Sequence, residues 1–113
     1  DIVIDVRFLP NPFYIPELRN LTGLDKQVSD YVLNNEETHK FLAAWENLLN
    51  CVMPGYVAEG KQQLAIGVGC TGGQHRSVVL ASKTAEILSA QDYNVNVYHR
   101  DIALADTNKE VAK

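Results

Sequence analysis

The sequence predicts an α/β fold: a small, mainly parallel sheet with flanking helices, containing a βαβ unit whose loop is suited to anions. Three observations lead there. A β-branched run opens the chain at Asp1–Phe8, as strands favour. Apolar residues recur at three- and four-residue steps through Glu36–Met53, the period of an amphipathic helix. A buried-type strand, a glycine-bearing loop, a helix and an alternating strand then follow one another over about thirty-five residues, the signature of a βαβ unit.

Each element has its own justification. The first strand stops at Pro10-Asn11-Pro12, because neither proline donates to a ladder and each turns its predecessor away from helix. An irregular stretch leads to Gly23, and a short helix is expected over 24–33, with Thr22 and Asp25 spaced like a capping box. In the long helix, Phe41, Leu42, Trp45, Leu48, Leu49, Val52 and Met53 form one apolar face. Trp45 and Met53 read as core there rather than as ligand contacts. Pro54-Gly55 is expected to end that helix. Leu64–Val68 reads as a buried strand and Arg76–Ala90 as a helix with Val79, Ala85 and Leu88 inward. Asn94–Tyr98 alternates as a strand with one buried face, carrying His99-Arg100-Asp101 at its carboxyl end. From Ala103 the chain is small and polar, a tail expected to fray.

Composition bounds the function. At 113 residues, 46% hydrophobic and 21% charged, the chain is one domain's worth of sequence and is neither disordered, collagen-like nor a coiled-coil rod. Its apolar runs are short, so no membrane partner and no signal-peptide core are expected. Two cysteines, Cys51 and Cys70, are too few for a disulfide scaffold, and a reducing, cytoplasmic setting is the default. The net charge of −4 argues against indiscriminate polyanion binding and leaves room for a local basic pocket. The chain starts at Asp1 and enters a strand at once, which suggests a piece of a longer protein.

The stretch Gly69–Ser77 carries the chemistry. It joins a strand to a helix, where α/β sheets bind ligands and where free helix N–H groups favour anions. Gly72 and Gly73 permit close approach or positive φ. Arg76 can hold two phosphate oxygens, Thr71 and Ser77 add hydroxyls, and His75 adds a tunable donor. The bland alternative is a tight turn beside a surface arginine. The stretch matches neither the G-x-x-x-x-G-K-[ST] loop nor the G-x-G-x-x-G fingerprint. No metal-ligand set stands out.

A rival scheme uses the same residues. Cys70-Thr71-Gly72-Gly73-Gln74-His75-Arg76-Ser77 fits C-x-x-G-x-x-R-[ST] and resembles the signature loop of cysteine-dependent phosphatases. Cys70 would be the nucleophile, Arg76 the phosphate holder, and Asp5 or Asp101 the general acid. Gly69 stands where that loop usually has histidine. The alternative for Cys70 is a small residue closing the strand.

Two longer motifs point to a family. Asp5-Val6-Arg7-Phe8-Leu9-Pro10-Asn11-Pro12 runs on to Ile15–Arg19 and Leu21–Asp25, and Ile66–Val78 is followed by His99-Arg100-Asp101. Together they resemble the C-terminal domain of RapZ-type nucleotide-binding proteins, or RNase adapter proteins, over roughly residues 1–102. The resemblance implies a ligand-binding C-terminal domain over 1–102 and a polar tail over 103–113. It further implies an ATP- and GTP-binding P-loop half elsewhere in the parent protein, and no cofactor in this piece. The implied role is regulatory and non-catalytic, with a phosphorylated small molecule or anion as ligand. An RNA or protein partner and self-association are also implied. By position, the ligand loop falls on Thr71, Gly72, Gly73, Gln74, His75, Arg76 and Ser77. Asp5, Arg7 and Asn11 lie on the other motif as companions, with Arg19, His99 and Arg100 as weaker candidates. For Asp5 and Arg7, which share a strand face, a structural ion pair is the alternative. His39 reads as surface. Two features depart from adapter-type members. Phe13 stands where they carry a histidine, and a phenyl ring cannot donate to a phosphate. Ala103–Lys113 has no net charge where they are basic, which removes phosphate contacts from an RNA role.

Overall fold

The computed structural model describes residues 1–105. Two strands, β1 (Ile2–Asp5) and β2 (Ile66–Gly69), pair in parallel, with Ile2 opposite Ile66 and Asp5 opposite Gly69. The crossover between them carries a 3₁₀ turn at Pro12–Tyr14, then α1 (Lys26–Leu33) and α2 (Glu36–Ala58). After β2 come α3 (Arg76–Ser89) and the short α4 (Arg100–Ala105). The α/β class and the parallel sheet with flanking helices are therefore as expected. Helix α4 runs past the expected domain edge at residue 102, and the tail beyond Ala105 lies outside the described residues.

The helices lie against one face of the sheet, so parity along the strands is clear. Ile2, Ile4, Ile66 and Val68 turn inward, while Val3 is 85% exposed on the bare face. Val6, Leu9, Leu18, Val28, Val32, Val79 and Leu80 form one core cluster. Trp45, Leu49, Met53 and Leu88 form the second. Trp45 and Met53 are thus core. The Trp45 indole donates to Thr84 Oγ1 at 2.9 Å, and that hydroxyl donates to Leu80 O at 2.7 Å, so neither buried polar group is orphaned. His39 is exposed, as read. Leu48 departs from the expected apolar face and is 48% exposed.

Three boundaries moved for physical reasons. β1 ends at Asp5 rather than near Phe8, because the Asp5 carboxylate accepts the Arg7 N–H at 2.9 Å and turns the chain. Helix α1 starts at Lys26. Only half of the expected capping box forms: Asp25 accepts from Thr22 N, but the Thr22 hydroxyl accepts from Leu24 N. Helix α2 continues through Pro54 to Ala58. The lost N–H is offset by Met53 and Tyr56 packing into the second cluster. The stop is Gly60, at φ +86°: its N–H bonds Val57 O and Lys61 N–H bonds Tyr56 O, the Schellman arrangement.

One expected element is corrected. Asn94–Tyr98 is not a strand, and the sheet has two strands among the described residues. The parallel β-helix-β unit present is β1–α1–α2–β2, not β2–α3–94–98. The alternation in 94–98 is matched by a single inward residue and not by a ladder. Val95 packs against the second cluster, while Val97 and Tyr98 are largely exposed.

Candidate functional site

Because β1 and β2 are parallel, both end at the same edge, and the loop from Cys70 to His75 starts there. Val6 N–H donates to Gly69 O at 2.8 Å, joining the two chains just beyond the strands. The loop then reaches α3, a 14-residue helix whose amino end faces back on it. Gly72 and Gly73 take φ +82° and +69°, conformations a side chain would strain. Thr71 and Gly72 are exposed at the tip, and Gln74 is half-buried.

The loop is held from behind. Cys70 Sγ accepts the Ser77 N–H at 3.3 Å, bridging its two ends. His75, buried, bonds Leu21 O through Nε2 at 2.7 Å; a carbonyl only accepts, so Nε2 carries the hydrogen. Gly23 N–H donates to Gln74 O at 2.8 Å. A Cβ on Gly23 would stand 2.7 Å from His75 O and from Val78 Cβ, so the segment 21–23 clamps the loop only because residue 23 is glycine. The sequence signals that role only through the glycine of Leu-Thr-Gly-Leu.

Arg76 is 3% exposed. Its Nη1 donates to the carbonyls of Arg7 and Leu9, tying the exit of β1 to α3. Its Nε is buried without a hydrogen-bond partner among the described residues. The residue expected to grip phosphate thus also serves as a cross-brace. Ser77 is buried beside it.

The other motif residues fall into two groups. Asp5 and Arg7 sit at the strand edge and pair at 2.8 Å, with Arg7 exposed. The Arg7 backbone N–H, aided by its guanidinium and by the charge of Arg76, holds the Asp5 carboxyl below its ordinary range against the opposing desolvation. Asn11 instead caps the 3₁₀ turn by accepting Phe13 N–H at 3.1 Å. Arg19 bonds Phe13 O at 2.8 Å and lies over the Phe13 ring. Asn11 and Arg19 therefore organise the Pro12–Tyr14 turn, and among the described residues no hydrogen bond or ion pair joins their side chains to the loop. From the far side, α4 brings Asp101 onto Gly73, so close that a Cβ there would run into the carboxylate. Arg100 pairs with Asp101 at 3.1 Å, and His99 is half-buried, its pKa lowered by desolvation. Among the described residues no group of three His, Cys, Asp or Glu side chains is placed to hold a metal. No described helix is long and apolar enough to cross a membrane.

What the arrangement offers is an exposed, backbone-rich turn at a helix amino end, with the Asp5–Arg7 pair at the neighbouring end of β1 and Asp101 against Gly73. Comparison with known proteins adds the following. A family model described as the RapZ C-terminal domain matches residues 1–103. A nucleotide-binding protein of Lactobacillus acidophilus is 58% identical over 103 residues, 91% of this chain and 35% of its own length. Similar proteins of Lactiplantibacillus plantarum and Bacillus cytotoxicus are 58% and 57% identical over 102 residues, each covering 90% of this chain and 34% of theirs. The chain spans about a third of the length of these curated relatives.

Proposed function

Because the chain belongs to the RapZ C-terminal domain family, and its relatives are named nucleotide-binding proteins, we propose that it is the regulatory ligand-binding domain of such a protein. It takes a phosphorylated metabolite or a free anion at the Cys70–Ser77 loop and breaks no bond itself. The observation that carries this reading is the convergence of both strand ends and the amino end of α3 on a loop braced from behind and open at Thr71 and Gly72. Backbone N–H groups and the helix dipole supply the attraction, and Arg7, paired with Asp5 at the end of β1, supplies positive charge nearby. ATP and GTP binding belong, in this reading, to the two thirds of the relatives that this chain does not cover. Cys51 and Cys70 are unpaired, which suits a reducing cytoplasm.

A thermal-shift titration tests the reading. Inorganic phosphate or a sugar phosphate at ten times its Kd should stabilise the fold by about 1.4 kcal/mol, a rise of roughly 5–10 °C for a domain this size. The combined change Arg7→Gln and Thr71→Val touches exposed residues. It should leave the unliganded melting temperature nearly unchanged and remove most of the rise. No rise with any phosphorylated compound at millimolar concentration rejects the proposal.

One observation favours a second reading, a Cys70-dependent phosphatase: the thiol sits at the amino end of α3 accepting an N–H, and Asp101 lies on the same loop. Its weak point is Arg76, whose Nη1 is engaged by two carbonyls. Turnover of an aryl phosphate that disappears in Cys70→Ser would establish it.

A further inference from the structure

A carboxylate of the chain itself rests on the candidate loop. Asp101, the second residue of α4, lies so close to Gly73 that a Cβ on that glycine would meet the aspartate's Oδ2, Cγ and Cβ. Its side chain is 27% exposed, while that of its neighbour Arg100 is 75% exposed. The acid therefore turns in to the loop and the base turns out to solvent.

Taking a carboxylate away from water costs free energy unless hydrogen bonds or opposite charge replace the water. Among the described residues the Asp101 oxygens accept only from Arg100, at 3.1 and 3.5 Å, and a pair whose arginine is so exposed contributes little. The remaining compensation comes from the loop. Its backbone N–H groups from Thr71 to Arg76, and that of Val78, have no hydrogen-bond partner among the described residues. They lead into the amino end of α3, where the helix dipole is positive. Asp101 thus sits where unpaired donors and a dipole attract negative charge.

We propose that Asp101 is a tethered stand-in for the loop's anion. It covers Gly73 in the unliganded protein, and it withdraws, with α4, before phosphate binds. The inference deepens the proposed function and rests on it. Two negative groups cannot share this turn: a phosphate bonded to the Gly73 N–H would lie beside the carboxylate, and like charges at contact range repel. The tether keeps the carboxylate at high effective concentration, so trace anions leave the loop covered. The stand-in is displaceable because it accepts no N–H from the loop. A phosphate brings more charge and more acceptor oxygens. Gly73 is then needed twice, for its φ of +69° and for the space that Asp101 fills.

Isothermal titration of inorganic phosphate into the 113-residue chain and its Asp101→Asn variant tests this. The substitution keeps the side chain's shape and removes its charge, so α4 loses its hold on the loop. The variant should bind phosphate roughly tenfold more tightly, because a covered state no longer competes. In the unsubstituted chain, the Arg100 and Ile102 amide resonances should move during the titration toward their positions in the variant. Equal or weaker binding by Asp101→Asn overturns the stand-in and leaves the loop as an anion site. Tighter binding by the variant, with the Arg100 and Ile102 resonances of the unsubstituted chain unmoved, also overturns it, since Asp101 would then act only as a repelling neighbour. Saturable binding by neither chain overturns the anion site and the stand-in together.

Discussion

Burying a guanidinium costs several kcal/mol unless its donors find acceptors, and Arg76 finds the carbonyls of Arg7 and Leu9. Arg76→Ala leaves those carbonyls without their donor and opens a hole beside the first cluster. It should lower stability by about 2–4 kcal/mol in urea denaturation; an unchanged midpoint would remove Arg76 from the frame of the loop. This is why ligand binding is better probed at Arg7 and Thr71, which are exposed. Asp5 gives a pH signature. Its carboxyl is held below its ordinary value of 3.8, chiefly by the Arg7 backbone N–H. The folded state therefore prefers the anion. The stability this supplies is full above the unfolded value and is lost as pH falls through the folded one. Asp5→Asn should flatten that part of the acid unfolding curve, and an identical curve would contradict the assignment. The legible and the hidden meet at single residues here. The motif around Arg76 was visible, but its buried partners were not, because they are carbonyls about seventy residues away and carry no side-chain pattern.

Glycines separate what elements need from what they tolerate. Gly55 lies inside α2 with open space where a Cβ would go, so Gly55→Ala should stabilise the protein by about 0.5–1 kcal/mol through helix propensity. Gly23 has no such room, and Gly23→Ala should cost about 2 kcal/mol or more, since His75 O is backbone and cannot swing aside. A denaturation series on the two variants checks both signs at once. Helices α2 and α3 and the strand cores were legible because burial on one face leaves a period in the sequence. The continuation through Pro54 was not, because the packing of Tyr56 that offsets the missing N–H depends on residues distant in sequence. Nor was the fate of Asn94–Tyr98, since alternation says nothing about ladder bonds and only Val95 of its two valines packs against a core cluster.

At the scale of the molecule, one layer of helices covers one face of a two-stranded sheet, and the loop, the Asp5–Arg7 pair and Asp101 gather at the sheet's carboxyl edge. His99 is half-buried, its pKa lowered from 6.5 by desolvation. Between the folded and unfolded values the unfolded chain binds more protons, so stability should decline as pH falls below about 6.5. His99→Gln should remove that slope in melting curves taken across pH 5–7. The net charge of −4 makes strong, salt-sensitive RNA binding by this chain alone unexpected. The central claim is that an anion is held by the loop between β2 and α3. The most direct measurement is a titration of inorganic phosphate followed through the backbone amide resonances. Saturable shifts concentrated at Thr71–Gly73 and in the first turn of α3 are expected. Shifts scattered over the surface, or centred on the Asn11–Arg19 turn, would contradict it.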